Sequence, residues 1–260
     1  SIKNAATDSA KAARLLRGAG YLFVRGAFDA AEVASFLDEA AELRAEARPG
    51  DKLSWWGRDG AGRELLCRVT RAASKPRLGA LPRDPRLLAL KDLADGPLVH
   101  RLGEGDGVTV IWKQPGVAEG MGDLPWHRDC GMGGHATLCP TLACSVFLTE
   151  SAPETGELVF LPGSWRTAAV QAVFAGDAGA PPGAHFRARP GDVSLHYGDT
   201  LHAAPPPTRN DLPQYRISAV LGFSRPGAYH HRGESSSNAP LPHRQAGQIE
   251  HPPKRAARGR

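Results

Sequence analysis

The sequence predicts an α+β chain whose second half is a sandwich or jelly roll, and three observations carry that prediction. Apolar residues recur at helical spacing through most of the first ninety-odd positions, and they alternate at strand spacing from about residue 107 onward. Each alternating run is bounded by Gly, Pro or Asp, the residues that end strands and start turns.

Taken in order, residues 8–17 (DSAKAARLLR) place Ala and Leu on one helical stripe and stop at Gly18 and Gly20. YLFV then reads as a short strand. Asp29 is placed to cap AAEVASFLDEAAELRAEA, whose Val33, Phe36, Leu37, Ala40 and Leu43 form a second stripe. Residues 50–80, with Trp55 and Trp56 adjacent, give a mixed signal and carry no motif. RDPRLLALKDLA, from residue 83, predicts a third helix. The strand runs that follow are GVTVIWKQ, TLACSVFLTE, GELVFLPGS, AHFRARPGDVSLHY, DTLHAA and YRISAVLGFS. The expected organisation is a single domain over residues 1–228, with a helical preface at 1–95 and a jelly-roll core at 96–228.

Composition narrows the function. With 41% hydrophobic and 23% charged residues over 260 positions, the chain is of ordinary globular type. No run approaches the roughly 20 apolar residues of a membrane span. The opening SIKNAATDSAKAARLL lacks the apolar stretch of a secretory signal. Cys67, Cys130, Cys139 and Cys144 are too sparse for a disulfide framework, so a soluble cytoplasmic protein with free thiols is expected. The net charge of +5 is concentrated at the end: residues 229–260 hold six Lys or Arg against Glu234 and Glu250, leaving the body close to neutral. That Pro-, Ser-, His- and Arg-rich tail lacks apolar periodicity and is read as disordered. No nucleic-acid partner is expected, and the absence of Walker or Rossmann glycine spacing argues against a nucleotide fold.

One segment carries chemistry. Trp126-His127-Arg128-Asp129 follows the GVTVIWKQPG strand, and alternation along extended chain sends His127 and Asp129 to the same side. A third ligand is available in GDVSLHYGDTLHAAPP, from either His196 or His202, where a jelly roll returns the chain beside its own beginning. Two imidazoles and one carboxylate on one face leave adjacent positions of an octahedral ion open, as in non-haem Fe(II) oxygenases. A rival zinc set, His127, Cys130, His135 and Cys139, has suitable spacing but would strand Asp129 and leave the GDTLH segment unexplained.

WHRD, then SVFLTESAPETGELVFLPGSW, then GDVSLHYGDTLHAAPPPTRNDLPQYRIS together resemble the phytanoyl-CoA dioxygenase family, over about residues 107–225. The resemblance implies a double-stranded β-helix, a cupin-like jelly roll with N-terminal and flanking helices. It also implies an Fe(II) centre with 2-oxoglutarate as cosubstrate and O2 as oxidant. His127, Asp129 and His202 match the metal ligands, while His196 falls in the preceding strand as a bystander. Arg216, fourteen positions beyond His202, matches the arginine for the distal carboxylate of 2-oxoglutarate, a role suited to a planar, permanently charged fork. Ser218 shares its strand face, and Ser145 is a further candidate contact, since Ala204 stands where relatives often have Ser. Trp165 replaces the usual His of PGSH. Retention of Asp129, which halogenating relatives lose, favours oxygen transfer. The implied reaction is hydroxylation of a small molecule with release of succinate and CO2; a jelly-roll binding module without oxygenase activity is the alternative. Trp112, Trp126 and Phe147 are candidate walls of the substrate pocket, with the Trp55-Trp56 pair beside them.

Overall fold

The computed structural model describes residues 5–101, 106–120, 122–129, 141–165 and 183–226. The basic tail and the cysteine and histidine members of the zinc rival, Cys130, His135 and Cys139, lie outside them.

The elements run α1 (Ala5–Ala19), β1 (Tyr21–Val24), α2 (Ala30–Glu46), β2 (Ser54–Asp59), β3 (Glu64–Val69), α3 (Pro85–Lys91) and β4 (Val99–Arg101). They continue with β5 (Val108–Trp112), β6 (Val117–Glu119), β7 (Leu124–His127), β8 (Thr141–Phe147) and β9 (Val159–Phe160). The last are β10 (Ala184–His185), β11 (Val193–Tyr197), β12 (His202–Ala204) and β13 (Ile217–Ser224). Two antiparallel sheets result. The larger has the order β1-β11-β8-β13-β5-β3-β2-β6 with β4 also on β13, and the smaller has β10-β9-β12-β7. Facing sheets of interleaved order are the jelly roll that the strand runs predict.

The first ninety-five residues are more than a helical preface. Their predicted helices are present, α2 with a full capping box in which Asp29 accepts from Glu32 N and the Glu32 side chain accepts from Asp29 N. Yet β1, β2 and β3 from the same stretch extend the larger sheet at both ends. The mixed signal of residues 50–80 conceals the β2–β3 hairpin because its register shifts between Trp55 and Trp56, which breaks the two-residue period.

The helices cover one face of the larger sheet. Leu16, Phe28, Val33, Phe36, Ala40 and Leu43 pack in one continuous core with Val108, Val110, Cys144, Val146, Leu195 and Ala219. The opposite strand faces, carrying Ser145, Ser194, His196 and Ser218, are turned away from that core. Gly20 joins α1 to β1 at φ +87°, a conformation that a side chain resists, and a Cβ there would sit 2.5 Å from Thr200 Oγ1. Thr200 Oγ1 donates to Gly20 O at 2.7 Å, fastening the start of the fold to the turn before β12. No helix among the described residues is long and apolar enough to cross a membrane.

Candidate metal centre

β7 and β12 are antiparallel neighbours in the smaller sheet, and His127 is paired directly with His202. Paired residues share a face, so both imidazoles enter the space between the sheets, their ring centroids 4.2 Å apart. Asp129, two residues on, joins them: its Oδ1 lies 3.9 Å from His127 Nε2 and 3.7 Å from His202 Nε2. One potential ligand atom from each of His127, Asp129 and His202 lies within 4.8 Å of the others. Trp126 and Arg128 alternate outward, Arg128 donating to Ser164 O at 3.0 Å.

The tautomers suit a metal. His127 Nδ1 lies 2.9 Å from Pro125 O and His202 Nδ1 lies 3.0 Å from Thr200 O. A carbonyl only accepts, so each Nδ1 carries the proton and each Nε2 presents a lone pair to the shared point. Burial pushes the His202 imidazole well below its ordinary pKa and lowers that of His127, which keeps both neutral. Burial alone would raise the Asp129 carboxyl, but the surrounding histidines hold it well below the usual carboxylate range. Its side chain retains 35% of its exposure while the two ligand histidines keep under a tenth, so the trio is open on the carboxylate side.

His196 is closer to the centre than a bystander. It is absent from the converging set, yet its Nε2 lies 3.1 Å from Asp129 Oδ2 and its ring, tilted at 52°, has its centroid 4.3 Å from that of His202. As donor to the carboxylate it fixes the orientation of Asp129, while its buried Nδ1 has no partner among the described residues.

Arg216, immediately before β13, is 3% exposed. Its Nε donates to Gly156 O at 2.9 Å and its Nη1 lies 3.4 Å from Ser218 Oγ. Burial depresses its pKa to about 10. No carboxylate among the described residues forms an ion pair with it, an expensive condition for a buried cation unless an anion arrives from outside. Ser145 occupies the same strand face on β8, directly opposite Ser194 of β11 and Val220 of β13.

Lys113 escaped the sequence reading. Its ammonium, 1% exposed, contacts Asp123 Oδ1 at 2.5 Å and donates to Ala204 O at 2.7 Å and Gly122 O at 3.1 Å. Burial lowers its pKa to about 8. Alternation could have found it: Val108, Val110 and Trp112 do share a face, as expected, but that face meets the helices, which sends Lys113 the other way.

Two expected pocket walls are therefore elsewhere. Trp112 belongs to the helix-side core with Val108 and Val110. Trp126 packs on Leu161 and Leu201 on the outer side of the smaller sheet, since its neighbour His127 takes the inner side. Phe147 does point between the sheets, paired with Ser218, but its ring meets Phe23 at 6.0 Å within an aromatic cluster that includes Phe186 and Phe160. The tryptophan pair is divided: Trp56 packs on the helix-side core and Trp55 does not.

A jelly roll that gathers two neutral imidazoles and a carboxylate around one open point has the donor set of a mononuclear 2-His-1-carboxylate metal centre. The chain belongs to the phytanoyl-CoA dioxygenase (PhyH) family, whose model matches residues 16–211. Among solved structures, AviO1 from Streptomyces viridochromogenes Tue57 is similar at 24% identity and TM-score 0.65, covering 85% of this chain and 97% of that one. The non-heme α-ketoglutarate-dependent epimerase SnoN from nogalamycin biosynthesis is similar at 25% identity and TM-score 0.65, covering 84% and 81%. HygX from Streptomyces hygroscopicus, with nickel and 2-oxoglutarate bound, is similar at 20% identity and TM-score 0.58, covering 82% and 86%. No curated protein matches the chain.

Proposed function

We propose that this chain is a non-haem Fe(II)- and 2-oxoglutarate-dependent dioxygenase that hydroxylates an unactivated C–H bond of a small organic molecule, releasing succinate and CO2. The observation that carries this reading is the pairing of an open His127–Asp129–His202 trio with Arg216, a buried cation that has no carboxylate partner among the described residues.

In this reading His127, Asp129 and His202 hold iron through Nε2, a carboxylate oxygen and Nε2. Arg216, with Ser218, takes the distal carboxylate of 2-oxoglutarate, and Ser145 borders the same space. Lys113 adds a second buried cation beside Arg216, and its contacts to Ala204 O and Gly122 O tie β5 to β12. The bound iron and cosubstrate supply an oxidant strong enough to remove hydrogen from carbon. The protein supplies position, a water-poor chamber and a fixed electrostatic field.

Family membership supports the reading, as do SnoN in complex with Fe3+, α-ketoglutarate and nogalamycin RO, and HygX with nickel, 2-oxoglutarate and hygromycin B bound. SnoN is an epimerase and SnoK a carbocyclase. Stereocentre inversion or ring closure is thus a second outcome compatible with the same ligand set. The test is 2-oxoglutarate turnover with Fe(II) and O2: the wild type forms succinate and His202→Ala does not. Equal succinate from both would refute the assignment.

A further inference from the structure

The larger sheet carries an unbroken row of side chains across five strands. Phe147 of β8 pairs with Ser218 of β13, Ser218 with Ile111 of β5, Ile111 with Arg68 of β3, and Arg68 with Trp55 of β2. Antiparallel partners point to the same face, so all five lie on the face that bears Ser218, opposite the helices. At about 4.8 Å per strand, Arg68 stands roughly 10 Å beyond Ser218, on the side away from the aromatic cluster around Phe147.

The local chain is built to aim Arg68 there. Trp55 pairs with Arg68 but Trp56 pairs with Leu66, so Cys67 is the extra residue of a bulge. Leu66 and Trp56 return to the helix-side core while Arg68 stays on the chamber face, the re-aiming that bulges commonly perform beside active sites. The Arg68 guanidinium lies over the Trp55 ring, 5.2 Å from its centroid, which restrains both side chains. Both are half-buried.

We propose that Arg68 and Trp55 form the substrate-recognition station of this enzyme, and that the substrate carries a carboxylate on a flat ring. Arg68 binds the carboxylate and the ring packs against Trp55 beside the guanidinium, which leaves the remainder of the molecule directed at the metal trio. This rests on the oxygenase reading above and assigns the substrate class to that same site.

Three probes share one ring and differ in charge: indole-3-acetate, indole-3-acetamide and tryptamine. Each is titrated by calorimetry into full-length protein loaded anaerobically with Fe(II) and 2-oxoglutarate. The wild type is expected to bind the acetate at least about tenfold more tightly than the amide, the scale of one charge-assisted hydrogen bond, and tryptamine least. Arg68→Gln should erase the acetate preference, Arg68→Lys should keep part of it, and Trp55→Leu should weaken acetate and amide alike. Far-ultraviolet circular dichroism and thermal unfolding of all three variants report their folding. Equal affinity for acetate and amide in the wild type, binding of neither, or a preference that survives Arg68→Gln overturns the proposal. The visible band of the iron chelate, read on the same samples, separates the two claims. With the band present and the selectivity absent, recognition alone fails; with the band absent, the oxygenase reading fails.

Discussion

Replacing Arg216 by Met separates the cost of a buried cation from its use. In the ligand-free protein the guanidinium is buried, with Gly156 O and Ser218 Oγ as its only hydrogen-bonding contacts among the described residues. Exchanging it for an apolar side chain of similar length removes a desolvated charge at the loss of a neutral acceptor contact, so ligand-free stability should hold or rise. Cosubstrate binding should collapse. Two charge-assisted hydrogen bonds to a carboxylate contribute about 1.5–3 kcal/mol each, so even with partial compensation affinity should fall by roughly 10²–10³-fold. The assay is thermal unfolding with Mn(II) in place of iron. At 2-oxoglutarate near 100 times its wild-type Kd, linkage adds about 2.7 kcal/mol, which for a chain of this size raises Tm by roughly 5–10 °C. The variant should shift by about 1 °C or less under the same conditions. A wild-type shift in Arg216→Met would refute the role, and a large drop in its ligand-free Tm would refute the reasoning about the unpaired charge.

Other expected outcomes follow from single contacts. His196→Leu removes the donor to Asp129 Oδ2 and should weaken Co(II) binding by about 10–100-fold, with His196→Gln recovering part of it; unchanged affinity in a calorimetric titration would make His196 a bystander after all. Lys113 has a folded pKa of about 8, below its unfolded value, so the penalty for burying its charge is full below pH 8 and fades as pH rises toward about 10.5. Metal-free wild type should therefore gain stability over Lys113→Met between pH 7.5 and 9, by up to about 1.4 kcal/mol per pH unit, and parallel denaturation profiles would contradict this. Gly20→Ala forces a side chain into φ +87° and against Thr200 Oγ1, at a cost of about 1–3 kcal/mol, seen as a Tm lower by roughly 3–10 °C; an unchanged Tm would show that the turn yields freely.

The fold was legible wherever local periodicity and tertiary role agree. The β5, β8 and β13 runs alternate cleanly because one face meets an apolar helix layer and the other a chamber with polar residues. The ligand segment was legible because alternation alone sends His127 and Asp129 inward. Three features were hidden. The bulge at Cys67 disrupts alternation and masked β2 and β3. Which face of β5 meets the helices depends on packing from distant residues, so alternation sets Trp112 and Lys113 on opposite faces without saying which one meets the helices. The contact of His196 with Asp129 spans 67 residues, and spacing alone does not announce it.

The most direct test of the account is an anaerobic optical titration of the full-length chain with Fe(II) and then 2-oxoglutarate. Wild type should develop the weak visible band of an iron chelate at one equivalent of each, while His202→Ala develops none and Arg216→Met requires far more 2-oxoglutarate. A folded wild type that gives no band, or a band that persists without His202, would contradict the claim that His127, Asp129 and His202 hold one metal ion open to its cosubstrate.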